Sequence, residues 1–270
     1  MPSVTAPLGG GGAIAGGSAP TAARGHGGGR RPRWLRVKDW DEHVEHLERM
    51  AATPGFLDLR DRVVELAGLR PEDRLLDVGA GTGLLTVAAA PRVARVSALD
   101  NSPAMCERLA RKLSALGIGN AEVLLDGATA LPFGDGTLDV VLSNYCFHHL
   151  THTEKDQALA EIVRVLRPGG RLVFADMMFQ VSVRDRRDRA VIARLARRMV
   201  VRGPAGLWRL ARNATRIATG RWEHPARVEW WEDALARAGF AEVDVRALDH
   251  EGGIARARRP PGPGTRCAAP

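Results

Sequence analysis

Apolar positions along this chain follow two rhythms in alternation. Short, mostly apolar runs at Leu75–Val78, Arg95–Leu99, Ala121–Leu125, Leu138–Ser143 and Arg171–Ala175 read as buried parallel strands. Between them, Leu84–Ala90, Pro103–Leu116 and Glu154–Leu166 repeat their apolar residues at helical spacing; the last places Leu159, Ile162, Val163 and Leu166 on one side. Strands separated by helices predict an α/β fold whose sheet is covered on both faces. The punctuation agrees. Gly68 and Pro71 stop a helix over Phe56–Leu69, Ser102 and Pro103 start another, and Phe133-Gly134-Asp135-Gly136-Thr137 has turn chemistry. Pro168-Gly169-Gly170 ends a helix and turns into the strand at Arg171. A last helix over His224–Ala238 carries Trp230, Trp231 and Leu235, and Phe240–Leu248 and Gly252–Ala257 read as two further strands.

One stretch changes this from a fold to a binding fold. The run Leu75-Leu76-Asp77-Val78 leads directly into Gly79-Ala80-Gly81-Thr82-Gly83, so a buried strand ends in a glycine turn that opens a helix. Glycines let the backbone take positive φ and let a ligand come closer than a Cβ permits, and the helix behind them points unpaired N–H groups at the same place. The spacing is G-x-G-x-G, whereas a dinucleotide fingerprint is G-x-G-x-x-G, and Leu84 stands where its third glycine would be. No basic residue that a phosphate would attract lies nearby. A nucleotide-like ligand without phosphates fits this turn.

Composition bounds the rest. With 270 residues and 45% hydrophobic content the chain is long enough for one sizeable α/β domain. Three cysteines, Cys106, Cys146 and Cys267, have neither disulfide nor zinc spacing, which points to a reducing cytoplasm. No apolar run approaches the roughly 18 residues of a membrane span, and the N-terminus lacks the order of a signal peptide. Residues 1–33 are Gly, Ala, Pro and Arg with almost no large apolar side chain, a solvated tail by composition; residues 259–270 are a second loose tail. The net charge of +8 and pI near 10.5 keep nucleic acid and an anionic membrane surface open as partners. An arginine-rich, lysine-poor composition is equally what a GC-rich genome produces.

Leu75–Gly83 resembles the first motif of the class I S-adenosylmethionine-dependent methyltransferases. Further matches follow in the family's order at Ala98-Leu99-Asp100, Leu125-Asp126-Gly127, Leu131–Gly136, Ser143-Asn144-Tyr145 and Leu166-Arg167-Pro168-Gly169-Gly170, spanning about Asp73 to Asp176. The resemblance is to the branch that includes the ubiquinone and menaquinone biosynthesis enzymes. It implies a three-layer, doubly wound, seven-stranded and mostly parallel sheet with the last strand antiparallel, over residues 34–258. It implies S-adenosylmethionine as cofactor and assigns to its site Asp77, Gly79, Ala80, Gly81, Thr82, Gly83, Asp100, Asn101, Asp126, Gly127, Ala128, Asn144 and Tyr145. Asp100 stands where a carboxylate reaches both ribose hydroxyls; an N-cap for the next helix is the rival role, which Ser102 fills better. Asp126 matches the acidic side chain that accepts from the adenine amino group, with a simple turn aspartate as the rival.

The implied reaction is methyl transfer to a small-molecule acceptor by direct displacement. Residues 34–52 carry Trp34, Leu35, Val37, Trp40, Val44, Leu47 and Met50 near helical spacing, and in relatives such a helix folds over the cofactor. Asn144-Tyr145-Cys146-Phe147-His148-His149-Leu150 follows the fourth strand, where the transferred methyl group belongs. His148, His149 and Tyr145 are the catalytic candidates, with His148 or His149 as a general base or as cofactor-side packing. No metal-ligand spacing accompanies the two histidines. Asp176, at the end of the fifth strand, is either an acceptor-binding carboxylate or a loop cap. An arginine-rich helical insertion over about 181–224 reads as a lid for an apolar or anionic acceptor, with peripheral membrane contact open, or as a helical pair packed on the core. An RNA methyltransferase, a non-catalytic S-adenosylmethionine-binding protein and a nicotinamide-dependent enzyme are the rival readings. Asn144-Tyr145 lacks the Pro-Pro-aromatic sequel of many nucleic-acid amino methylases.

Overall fold

The computed structural model describes residues 43–180, 185–201, 203–218 and 223–262. The chain begins, within that range, with α1 (Val44–Ala51) and α2 (Pro54–Ala67), which Gly68 closes in the left-handed conformation at φ 53°. Then strands and helices alternate: β1 (Arg74–Val78), α3 (Leu84–Ala89), β2 (Arg95–Asp100), α4 (Pro103–Ala115), β3 (Ala121–Leu125), β4 (Leu138–Asn144), α5 (His152–Val165) and β5 (Leu166–Met177). A hairpin of α6 (Arg186–Val200) and α7 (Pro204–Ala218) follows, and then α8 (Val228–Arg237), β6 (Ala241–Ala247) and β7 (Gly252–Arg258). Trp34 to Trp40, the first half of the expected N-terminal helix, lie outside the described residues, as do both tails apart from residues 259–262.

The strands form one seven-stranded sheet in the order β3-β2-β1-β4-β5-β7-β6. All pairs are parallel except those of β7, which runs antiparallel between β5 and β6. The doubly wound, mostly parallel sheet expected from the sequence is therefore the one present. The order turns around at β1 and β4: the chain leaves β1 toward β2 on one side and returns to β4 on the other. A parallel sheet opens a crevice at the carboxyl ends of such strands.

Why the strands read as nearly unbroken apolar runs is visible in their neighbours. Leu75, Val140, Leu142 and Val173 pack on one face with Val63 and Val64 of α2. Leu76, Val141 and Phe174 pack on the other with Ile162 of α5 and Trp231 of α8. Successive residues point to opposite faces, and both faces are covered. At the foot of the sheet, the buried Arg171 guanidinium pairs with the Asp73 carboxylate and donates from Nε to the Ala67 carbonyl at 2.8 Å. That joins the end of α2, the entry to β1 and the middle of β5 at the side away from the crevice.

The fifth strand differs from expectation. Its ladder begins at Leu166, so Pro168-Gly169-Gly170 lies within it. The Gly169 N–H donates to the Arg259 carbonyl at 2.9 Å, and the Arg259 N–H donates back to Gly170 at the same distance. Residue 259 thus supplies a backbone partner that the turn chemistry of the motif does not reveal. The register between β4 and β5 shifts between Leu138 and Val140 to absorb the extra residues.

Trp231 is 1% exposed, packs at a tilt against Phe174 with ring centroids 4.7 Å apart, and its buried Nε1 has no hydrogen-bond partner. Replacing Trp231 by Ala is expected to cost about 3–5 kcal/mol in urea unfolding. Trp231→Phe keeps the ring and removes an unsatisfied donor, so its loss should stay under about 1.5 kcal/mol.

Candidate functional site

The glycine turn after β1 holds its shape through backbone bonds. The N–H groups of Gly79 and Ala80 both donate to the Leu99 carbonyl, at 2.8 and 2.9 Å, which ties the turn to the end of β2. Gly79, Gly81 and Gly83 have φ of 70°, 53° and 89°. Their surroundings differ. A Cβ on Gly79 would lie 2.4 Å from Cys146 Sγ, and one on Gly83 would lie 2.3 Å from Leu109 Cδ1. A Cβ on Gly81 would meet nothing within 4 Å, so Gly81 borders open space.

That space is a cleft of about 1030 Å³, its open mouth included, at the carboxyl ends of β1, β2 and β4. Gly79, Ala80, Gly81 and Thr82 form its floor, Asp100 and Asn101 the tip of β2, Asp126 and Ala128 the far wall. Asn144, Tyr145 and His149 line it from the β4 side, and Leu47, Met50 and Ala51 of α1 from above. The covering by α1 agrees with the sequence expectation for that helix. Its hold is light: α1 buries no residue fully, and Glu48 anchors it to Arg108 and Lys112 on α4 through partly exposed ion pairs.

Four of the cofactor-site and catalytic candidates stand outside the cleft lining. Asp77 is 1% exposed and accepts from Thr86 Oγ1 at 2.6 Å; burial raises its pKa to about 6. Gly83 packs against Leu109, and the Gly127 N–H donates to the Asp126 carboxylate at 2.7 Å. His148 is 5% exposed and lies behind His149. Conversely, Phe56, Leu84, Leu99, Met105 and Cys146 line the cleft without having been singled out, because an apolar residue in a core-forming pattern carries no mark of facing a cavity.

The charged groups of the cleft lining are the carboxylates of Asp100 and Asp126. Asp100 takes the Gly81 N–H on Oδ2 at 2.8 Å and the Ser102 N–H on Oδ1 at 2.9 Å, which fixes its carboxylate at the rim. Ser102 itself caps α4, accepting from the Met105 N–H at 3.2 Å, as expected. Asn144 Oδ1 is buried with no partner in the protein. Leaving a buried acceptor unpaired costs about 1–3 kcal/mol, which a donor on a ligand would recover. No lysine or arginine lines the cleft among the described residues.

Tyr145 holds the strained end of β4. Its φ is 53°, its N–H donates to the Ala175 carbonyl at 2.8 Å, and its ring packs on Phe56 with centroids 5.1 Å apart. Burial, with the carboxylates of Glu251 and Asp176, pushes its phenol above the ordinary range, so it remains a protonated donor. Burial likewise pushes the Cys146 thiol up and keeps it from acting as a thiolate.

Of the two roles its position in the sequence suggested, Asp176 takes that of a cap, accepting backbone N–H groups of the loop after β4 and of Met177. It is 1% exposed, and its Oδ1 lies 2.5 Å from His148 Nδ1 while Oδ2 accepts the His148 backbone N–H at 3.1 Å. The carboxylate is turned inward because β5 reaches to Met177 and carries Asp176 under the loop after β4. Beyond His148 stands Glu223, 4.0 Å from His148 Nε2 and 3.9 Å from His149 Nδ1. Nothing in local spacing pairs residue 223 with residues 148 and 149. The helical insertion, by contrast, contributes no described residue to the cleft lining; Arg187 anchors it by donating to the carbonyls of Met178, His250 and Gly252.

Comparison with known proteins agrees with the motifs. Residues 75–170 match a methyltransferase domain model. A ubiquinone/menaquinone biosynthesis C-methyltransferase of Hydrogenovibrio crunogenus is 40% identical over 114 residues, 41% of this chain and 44% of that protein. A demethylmenaquinone methyltransferase of Thermus thermophilus is 39% identical over 129 residues, 47% of this chain and 57% of its own. The chain thus spans about half the length of the curated relatives it matches. Among solved structures, a S-adenosylmethionine-dependent methyltransferase from Aquifex aeolicus superposes with a TM-score of 0.57 at 21% identity, over 81% of this chain and 98% of that one. Haemonchus contortus phosphoethanolamine N-methyltransferase 2, in complex with S-adenosyl-L-methionine, reaches 0.62 at 15% identity over 82% of this chain and 57% of its own.

The buried Asp77 generates a pH dependence. Its folded pKa near 6 exceeds the ordinary 3.8, so folding takes up a proton between those values and this carboxyl stabilises the fold as pH falls through 6 toward 4. Asp77→Asn should therefore gain most over the native chain at pH 7.5 and lose that advantage toward pH 4, read from urea midpoints at each pH. Residues 75–170 thus match a methyltransferase domain model and lie in a sheet of the order that the resemblance of the motifs implies.

Proposed function

We propose that this chain transfers a methyl group from S-adenosylmethionine to a small-molecule acceptor. The observation that carries the reading is the chemistry of the cleft: two carboxylates and an unpaired amide oxygen, with no cation among the described lining residues. S-adenosylmethionine presents donors at its adenine, ribose and ammonium and has no phosphate, so it complements this lining where a dinucleotide does not. Asp100 is oriented to accept from the ribose hydroxyls and Asp126 from the adenine amino group. Asn144 Oδ1 receives the ammonium, and the bare backbone at Gly81 makes room for the methionine part.

When bound, the sulfonium supplies an already activated methyl group. The protein's task is then mainly to hold the acceptor nucleophile in line and exclude water, which positioning and the apolar cover of α1 and Phe56 provide. Tyr145, a protonated phenol beside the methyl position, donates to the acceptor or the cofactor carboxylate.

The acceptor's character is read from the α6–α7 hairpin. Residues 185–218 hold ten arginines and two aspartates, an excess of eight positive charges, equal to the +8 of the whole chain, so the rest of the chain is neutral overall. Around the turn between the helices, Val200, Val201, Leu207 and Trp208 are 49%, 80%, 52% and 66% exposed. A basic hairpin with an apolar, tryptophan-bearing end suits an anionic bilayer surface and an acceptor that is apolar or anionic.

Calorimetric titration tests the cofactor. S-adenosylmethionine and S-adenosylhomocysteine should bind at micromolar affinity and NADH should not bind. Asp100→Ala, Asp100→Asn and Gly81→Val should each weaken binding at least about tenfold, about 1.4 kcal/mol. Unchanged affinity in folded Asp100 variants overturns the ribose assignment. For the hairpin, the protein should sediment with phosphatidylglycerol vesicles and stay free of phosphatidylcholine ones, and Trp208→Ala or high salt should release it. Binding of RNA in preference to vesicles would favour a nucleic-acid acceptor instead.

A further inference from the structure

We propose that His148, His149 and Glu223 bind a divalent transition-metal ion at the β4 wall of the cleft, and that this ion takes an oxygen or nitrogen donor of the methyl acceptor as a further ligand. The metal site stands on its own geometry; only the role of the acceptor rests on the methyltransferase reading.

One nitrogen from each histidine and a carboxylate oxygen of Glu223 all lie within 4.8 Å of one another. The histidines share a single helical turn, Phe147–His149, with ring centroids 3.8 Å apart. Glu223 arrives from the far side of the α6–α7 hairpin and is held by its neighbour. The His224 N–H donates to the His148 carbonyl at 2.7 Å. The buried Lys155 ammonium grips the carbonyls of His224 and Leu150, each at 2.6 Å. These bonds bring the segment against the histidine turn although 74 residues separate Glu223 from His149.

The carboxylate behind His148 is what suits the arrangement to a cation. His148 Nδ1 lies 2.5 Å from Asp176 Oδ1, and Asp176 is fixed by the backbone N–H groups of His148 and Met177, at 3.1 and 2.6 Å. With Nδ1 turned to Asp176, the outer nitrogen Nε2 faces the Glu223 carboxylate across 4.0 Å. An ion placed between them would take both as ligands. A carboxylate behind the distal nitrogen of a histidine is the usual support of a metal ligand, since it fixes the ring and raises its basicity.

Two imidazoles and one carboxylate suit zinc, iron(II), cobalt or manganese, and three protein ligands leave coordination positions for other molecules. Metal bonds of about 2.0–2.2 Å set donors roughly 3–3.5 Å apart, so the site closes by about 1 Å on binding. Glu223, with its side chain 21% exposed, has room for that movement. His149 lines the cleft, so the free positions of the ion open toward the place of the acceptor. An acceptor carrying a hydroxyl, enol or phenolic oxygen is the class this site would select.

The test uses the full chain, stripped with chelator and titrated with Zn²⁺ by calorimetry and with Co²⁺ by visible absorption, in the absence of S-adenosylmethionine. One ion per chain, with cobalt d–d bands, is the expected result. His149→Ala and Glu223→Gln should each weaken binding at least tenfold. Asp176→Asn, which keeps the shape behind His148, should weaken it about tenfold or more. Lys155→Met, outside the ligand set, should weaken it by loosening the segment that bears Glu223. S-adenosylhomocysteine affinity, measured in parallel, reports on the methyltransferase reading separately and should be retained in Glu223→Gln. No stoichiometric binding to folded native protein, or binding indifferent to Glu223→Gln and His149→Ala, overturns the site.

Discussion

The turn after β1 can pass through this molecule only as bare backbone. Gly79 runs against the side chain of Cys146 and Gly83 against Leu109, at distances where any Cβ would collide. Because the backbone comes that close, its N–H groups reach the Leu99 carbonyl and bind the turn to the tip of β2. The same approach leaves Gly81 facing open space, with its N–H on the Asp100 carboxylate. Loop, carboxylate and cleft are therefore one construction: the glycines set the path, the path orients Asp100, and both border the volume in which a ligand fits. The sheet contributes the point where this happens, since β1 and β4 are the neighbours between which the winding reverses.

Charge is partitioned in a way that separates two tasks. The cleft presents two carboxylates and no lysine or arginine among its described lining, while the positive excess of the chain resides in residues 185–218. A single basic surface covering both would draw phosphates into the cleft. Anchoring of the hairpin through Arg187 to backbone carbonyls at the ends of β5 and β7 keeps it attached to the sheet without filling the cleft.

Beside the cleft, a chain of fixed partners runs from the sheet outward: Asp176 at the end of β5, His148 in the turn after β4, then Glu223. Each link constrains the next. Asp176 is held by backbone donors, His148 by Asp176, and the segment bearing Glu223 by Lys155 and the His148 carbonyl. The burial of Lys155, whose ammonium donates to two carbonyls, lowers its pKa to about 8 against the pull of nearby carboxylates, Asp176 first.

Most of the architecture was legible along the chain, because the features that specify it are local. Apolar runs covered on both faces mark β1 to β5, helical spacing marks α2 to α5, and the three glycines with Asp100 and Asp126 mark the ligand end of the sheet. Backbone conformation and strand periodicity are properties of neighbouring residues, so sequence alone determined them. What it left undecided depended on residues far apart. Arg259 pairs with Gly170 and draws the Pro-Gly-Gly turn into β5; the reach of that strand turns Asp176 inward to His148; and Glu223 meets His149 across the whole α6–α7 hairpin. Asp77, a cofactor-site candidate, and His148, a candidate base or packing residue, are both buried outside the cleft lining. Which side of a packed layer a polar side chain faces is set by what covers it, and only the tertiary structure brings that cover into contact.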